Sequence, residues 1–270
     1  MAERYVAECP AKINLFLRVG PPDASRFHVL ETEFQAIGLF DTLEVEVGGS
    51  GFEVVGMNLP ESDTVTRALR LMREVATLPP LGLRLRKRIP DRAGLGGGSS
   101  DAAGLLRILR MILPATVPDR DFKAVAKSVG ADVPFFLVGG RAQGSGYGDV
   151  VTALPDGEVK WLVVTKPNIS CSTPEMFAAL DAFRNSGLKP PDHSCWIKND
   201  FNAVAPMASL ARMERLSTLG LEPVGLCGSG SAVFGFANSR HMAERCAEGL
   251  SSAWAVRTLG RDESLAVKTG

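Results

Sequence analysis

Apolar and polar side chains alternate from Ile13 to Val19, with Ile13, Leu15, Leu17 and Val19 on one parity and Asn14, Phe16 and Arg18 on the other. A period of two presents each parity to one face of a strand, so this stretch predicts a half-buried strand. The pattern returns in "DTLEVEV", from Leu43 through Val47, and in "LGLRLRKRI", where Leu81, Leu83 and Leu85 oppose Arg84, Arg86 and Arg88. Between these two the period changes. In "TVTRALRLMREVA" the apolar residues Val65, Ala68, Leu69, Met72 and Val75 or Ala76 recur at helical spacing, which predicts a helix with one buried stripe. After the third strand comes "RIPDRAGLGGGSSDAAGLLR", a glycine-rich run opening into a helix from Asp101 that buries Leu105, Leu106, Leu109 and Ile112 or Leu113. Ser99 and Ser100 occupy its expected capping position, and Pro114 and Pro118 end it.

"FKAVAKSVG" predicts a short amphipathic helix stopped by Gly130, and "ADVPFFLVGG" then places one carboxylate, Asp132, inside an apolar segment. A composition break near "TALPDGEVK" precedes the buried strand "KWLVVTKP", so a boundary is expected close to Pro155, giving units 1–155 and 156–270. The second unit reads as helices at "TPEMFAALDAF" and "MASLARMERLSTLG", a strand pair about the Gly/Ser turn of "VGLCGSGSAVFGFA", a helix at "SRHMAERCAEGLSS" and a last strand near "AWAVRTL". Strands and helices mixed without a regular βαβ cadence predict an α+β fold.

Composition narrows the function classes. Lys plus Arg equals Asp plus Glu at 30 each, which disfavours nucleic acid as the main partner, because phosphate neutralisation leaves a basic footprint. The five cysteines are scattered, without Cys-x-x-Cys spacing, so neither a disulfide framework nor a zinc site is expected. No stretch reaches the roughly 18 apolar residues of a membrane span. The expectation is a cytoplasmic protein, monomer or homodimer, acting on a small molecule.

The glycine-rich run matches neither common nucleotide loop. A P-loop needs Lys after its last glycine, and Gly98 is followed by Ser99. A dinucleotide fingerprint counted from Gly94 reaches Gly96 and then Ser99 where a third glycine belongs, which weakens an NAD-dependent reading. Strand, glycine loop and helix N-terminus still form an arrangement suited to an anion. Asp132, costly in an apolar setting, needs a cation or hydrogen bonds. Lys12 in "PAKINLFL" is one candidate partner, and the pair could then remove a proton from an attacking hydroxyl. The alternative is that Asp132 caps a turn before Pro134 while Lys12 is a solvated strand end.

Taken together, "PAKINLFL", "PDRAGLGGGSSDAAGLL" and "CGSGSAVFGF" resemble the three signature segments of the GHMP kinases. "FHVLETEFQAIGLFD", "GLGGGSSDAA", "GADVPFFLVGG" and "KNDFNAV" resemble the branch acting on 4-diphosphocytidyl-2-C-methyl-D-erythritol in the non-mevalonate isoprenoid pathway. The resemblance runs from about Cys9 to about Leu259. It implies a first domain like the second domain of ribosomal protein S5, a ferredoxin-like second domain, and ATP-dependent phosphorylation of the substrate's 2-hydroxyl. Lys12 and Asp132 map onto the family's catalytic pair. ATP would lie on Pro90, Asp91, Arg92, Ala93, Gly94, Leu95, Gly96, Gly97, Gly98, Ser99 and Ser100, with Asp63 and Lys87 nearby, and Mg²⁺ would bridge the phosphates, touched by Ser99 or Ser100. Asn14, Phe27, His28, Thr173, Phe177, Gly228, Ser229, Gly230 and Ser231 map onto the substrate side, with Phe27 and Phe177 stacking on the two faces of cytosine.

The chain departs from the family pattern at several positions. Arg26-Phe27-His28 stands where Gly-Tyr-His is usual, Asp91 and Arg92 replace small or apolar residues, and Asp63 replaces Asn. Asp63 and Asp91 would add negative charge beside a polyphosphate, with Arg92, Lys87 and Arg88 as the expected offset. The competing readings are a homoserine or mevalonate-type GHMP kinase and an S5-like nucleic-acid module.

Overall fold

The computed structural model describes residues 3–57, 63–190 and 194–270. Its first sheet is built on two long strands, β1 (Arg4–Pro22) and β2 (His28–Val47). They pair antiparallel from Arg4 opposite Glu46 to Pro22 opposite His28, with register shifts at Pro10/Ala11, Asn14/Phe16 and Val19/Pro22. Both are far longer than their alternating stretches predict. From Cys9 to Asn14 every residue of β1 is buried, so this part has no wet face to mark the strand period.

β3 (Phe52–Val55) and β4 (Leu81–Arg86) extend the sheet beyond β2, and β5 (Arg141–Ser145) pairs with the Thr32–Gln35 part of β2 and with β6 (Val150–Ala153). α1 (Thr64–Val75), α2 (Gly97–Ile112), α3 (Asp119–Val129) and α4 (Val133–Val138) contribute Met72, Leu105, Leu109, Phe122 and Phe135 to one core with Leu43 and Leu85 of the sheet. Asp63 starts α1, its Oδ1 accepting the Val65 and Thr66 N–H groups at 2.8 and 3.0 Å. The α2 boundary differs from expectation: the N-cap is Gly96, in a left-handed conformation, and Ser99 and Ser100 lie inside the first turn instead of capping it. A glycine cap leaves the first-turn N–H groups without a side-chain acceptor.

The second sheet has the order β10-β7-β9-β8. β7 (Trp161–Thr165), α5 (Thr173–Asn185), a 3₁₀ turn (Asp200–Val204), α6 (Met207–Thr218), β8 (Val224–Leu226), β9 (Val233–Ala237), α7 (Arg240–Glu248) and β10 (Ala253–Arg257) follow in sequence. Leu17, Leu180, Phe201, Met213 and Val233 share one core here. A third cluster joins the sheets, packing Ala11, Ile13 and Ile37 against Leu162, Val164 and Phe234. Pro155 falls between β6 and β7, where the chain leaves one sheet for the other. After α8 (Arg261–Ser264) the chain returns: β11 (Val267–Thr269) pairs with Tyr5–Ala7 at the edge of the first sheet. Among the described residues no helix is long and apolar enough to cross a membrane.

Candidate active site

The glycine loop is shaped by what it touches. Gly94 has φ +75°, and a Cβ there would lie 1.8 Å from the Cys227 carbonyl oxygen. Any side chain is therefore excluded by contact as well as by conformation. At Gly96 a Cβ would meet the Phe136 ring at 2.9 Å and Lys12 Cγ at 3.2 Å. Backbone bonds complete the junction: Lys12 N donates to Leu95 O at 2.9 Å, and Ala232 N donates to Ala93 O at 3.1 Å. The three sequence segments thus meet at this loop, against a cavity of about 980 Å³, near the upper end of ordinary ligand sites. α2 begins at the loop's end, directing the positive end of its dipole toward the region where an anion would sit.

Lys12 and Asp132 face each other across this cavity at 3.5 Å, with the lysine 4% and the carboxylate 33% exposed. Lys12 Nζ also donates to Asn14 Oδ1 at 2.9 Å, and that oxygen accepts Gly228 N–H at 3.0 Å. Asn14 Nδ2 donates in turn to Thr32 Oγ1 at 2.8 Å, and Thr32 donates to the Phe16 carbonyl at 2.6 Å. Asn14 therefore joins Lys12 to the 228 turn. Asp132 occupies the N-cap position of α4 but makes no capping hydrogen bond, so the turn-capping alternative is not what the structure forms.

Lys87 is a correction. It lines the cavity, yet its ammonium is buried between Asp41 and Asp101, the latter at 2.6 Å. Asp41 Oδ1 accepts the Arg88 and Ile89 N–H groups at 2.5 and 2.9 Å, tying the start of the loop to this cluster. Lys87 consequently cannot serve as the expected offset for Asp63 and Asp91. Arg88 is exposed and lies outside the cavity lining. Asp63 has its carboxylate engaged by Val65, Thr66 and the Thr66 hydroxyl. Asp91 and Arg92 are exposed at the loop's edge and pair with each other at 3.8 Å.

Pro90 through Ser99 line the cavity, whereas Ser100 is fully buried outside it, and its Oγ has no hydrogen-bond partner among the described residues. Gly228 and Ser229 reach the cavity and Ser229 Oγ meets Thr173 Oγ1 at 3.2 Å, but Gly230 and Ser231 do not line it. Ser231 instead donates to the Ile169 carbonyl at 2.6 Å. No cluster of three or more His, Cys, Asp or Glu side chains suited to a metal occurs among the described residues.

Aromatic residues gather at the opposite end. Phe177 stacks on His28 with centroids 4.7 Å apart and planes at 24°, meets Phe201 edge-on at 5.0 Å, and lines the cavity as Phe27 does. His28 Nε2 lies 2.9 Å from Asp181 Oδ1. Phe27 is 63% exposed at the rim, its ring 5.7 Å from that of Tyr147. Asp41, Asp101, Thr32, Tyr147 and Asp181 were not candidates from the sequence. Nor was Asn199, inside "KNDFNAV", whose Nδ2 holds the Leu226 and Gly228 carbonyls at 3.2 and 2.8 Å.

Known proteins resemble this chain in sequence and in fold. The family described as GHMP kinases N terminal domain matches residues 63–140. The 4-diphosphocytidyl-2-C-methyl-D-erythritol kinase of Thermus thermophilus is 37% identical over 270 residues, covering 94% of this chain and 96% of that protein. The protein of the same name from Polaromonas naphthalenivorans is 38% identical over 194 residues, 67% of this chain and 65% of its own length, so the match spans just under two thirds of that relative. A crystal structure of 4-(cytidine 5'-diphospho)-2C-methyl-D-erythritol kinase superposes with a TM-score of 0.80 at 33% identity, covering 94% of this chain and 99% of that one. The fold, the meeting of the three segments and the extent of these matches agree: the chain belongs to the GHMP kinases, within the family of the 4-diphosphocytidyl-2-C-methyl-D-erythritol kinases.

Proposed function

We propose that this chain transfers the γ-phosphoryl group of ATP to the 2-hydroxyl of 4-diphosphocytidyl-2-C-methyl-D-erythritol, supplying a precursor of isoprenoids. The observation that carries the reading is the Lys12–Asp132 pair at 3.5 Å, set between the glycine loop and the aromatic end of one cavity. Asp132 accepts the hydroxyl proton as that oxygen attacks phosphorus, and the bond to the departing ADP oxygen breaks. Lys12, held by Asn14, stabilises charge on the transferring group and orients Asp132. The glycine loop and the first turn of α2 take the polyphosphate on backbone N–H groups. At the other end, Phe27 offers an open ring face for stacking cytosine, while the His28–Phe177 stack forms a second aromatic surface.

The donor set also fits Mg²⁺ arriving on the nucleotide. No protein-only cage is present among the described residues, and this ion commonly takes most of its ligands from phosphates and water. The Ser99 hydroxyl is the loop side chain that reaches the cavity to touch it. When bound, Mg²⁺ neutralises phosphate charge. The test is ADP release with the cytidylated methylerythritol, homoserine and mevalonate as alternative acceptors. Turnover only with the first, competed by free CDP, supports the reading; preferential turnover of either other alcohol overturns it.

A further inference from the structure

At the rim of the cavity, residues 23–27 close on themselves. Asp23 Oδ1 accepts the Ser25 and Phe27 N–H groups at 2.8 and 3.2 Å, Asp23 N–H donates to Phe27 O at 2.8 Å, and Arg26 N–H donates to Asp23 O at 2.9 Å. Arg26 sits at φ +62°, a conformation that side chains other than glycine, asparagine and aspartate rarely adopt. These bonds are local to the turn. Its side-chain tie to the β5–β6 hairpin comes from Tyr147, whose hydroxyl donates to Asp23 Oδ2 at 2.5 Å. That hydrogen bond also holds the Asp23 carboxyl below the ordinary range, against the opposing effect of burial.

Tyr147 is itself held in place. Its N–H donates to Asp149 Oδ1 at 3.2 Å, the other oxygen of Asp149 pairs with Lys127 of α3 at 3.0 Å, and the neighbouring Gly146 carbonyl accepts Leu30 N–H at 2.7 Å. The hairpin is thus bound to both α3 and β2. Tyr147 also lines the cavity, with its ring 5.7 Å from that of Phe27 and inclined by 56°.

We propose that Tyr147 is the positioning residue for the nucleobase end of the site: through Asp23 it fixes the turn that carries Phe27, so that the Phe27 ring is in place before the substrate arrives. This rests on the cytidine reading above. A preplaced ring lowers the ordering cost of binding, and because the tether bonds to neither Lys12 nor Asp132 its effect falls on substrate affinity.

Tyr147→Phe removes the hydroxyl and keeps the ring. The expected result is a KM for the cytidylated substrate about fivefold higher, consistent with the loss of one hydrogen bond, with kcat and the KM for ATP unchanged. Amide hydrogen exchange at Ser25 and Phe27, measured without substrate, should quicken in the same variant. Tyr147→Phe added to Asp23→Ala should raise KM no further than Asp23→Ala alone, since the acceptor of the tether is already gone. Unchanged KM, unchanged exchange or additive effects overturn the proposal. A wild-type enzyme that fails to turn over the cytidylated substrate overturns the activity reading and with it the role in specificity, while the exchange measurement still reports on the tether alone.

Discussion

Two buried lysines face the same cavity and are held in opposite ways. Lys12 meets one carboxylate, Asp132, which is a third exposed, and one amide oxygen from Asn14. Lys87 lies between two carboxylates, Asp41 and Asp101, both closed off from solvent. Burial by itself would push the Lys87 ammonium down, but Asp101 and Asp41 outweigh it and hold Lys87 above the ordinary lysine range. Asp101 is pushed up, first by its own burial and then by the charge of Asp41, against the pull of Lys87. A cation whose one carboxylate partner opens to solvent can turn toward a phosphoryl group. One enclosed by two acids cannot leave without stranding a buried charge. Lys12 is thereby free for chemistry, and Lys87 secures the strand end from which the glycine loop departs.

The largest expected effect tests the first half of that contrast. Asp132→Asn keeps the shape and removes the base, so kcat should fall by roughly 10²–10⁴-fold in the ADP-release assay, with ATP affinity by calorimetry little changed. Near-normal turnover would take the base role away from Asp132 and erase the difference between the lysines. Next comes Lys87→Met, which leaves Asp41 and Asp101 facing each other without a cation. Urea denaturation should show about 3–5 kcal/mol of lost stability, the usual cost of breaking a buried ion pair; an unchanged midpoint would mean the cluster does not hold the fold.

The smallest effect sharpens the contrast within the cluster. Since the folded protein raises Asp101 above its unfolded value, the stabilisation from its protonated form is complete below the ordinary aspartate range. It is lost as pH rises through the raised value. Asp101→Asn has no proton to lose there, so its melting temperature should vary less than the wild type's between about pH 4 and pH 8. Parallel curves for the two proteins would refute a raised Asp101.

How much of this was legible in the sequence depends on whether a residue's partner could be inferred from its own surroundings. A carboxylate beside "VPFF" needs a cation, and Lys12 in the first strand was a reasonable candidate across 119 intervening positions; the structure places the two at 3.5 Å. Lys87 was misread for the complementary reason. It stands between Arg86 and Arg88 at the end of an alternating strand, as an exposed lysine would, and its partners look ordinary too: Asp41 begins a strand pattern and Asp101 begins a helix pattern. The aromatic end was legible only through the resemblance, which implies that Phe27, His28 and Phe177 share a site but not that Phe177 stacks on His28. Strand lengths failed where both faces are covered. The run Cys9–Asn14 alternates, with Ala11 and Ile13 packed toward the second sheet and Lys12 and Asn14 lining the cavity, but its polar positions are buried as well.

The return of β11 to the edge of β1 has a consequence for how the chain is made. Tyr5–Ala7 precede their partners Val267–Thr269 by about 260 residues, so they leave the ribosome long before the strand that pairs with them. Until translation reaches those residues, β1 presents an unpaired border of N–H and C=O groups, the kind of edge at which nascent chains join their neighbours. The strand that closes that border is delivered long after the border itself has formed.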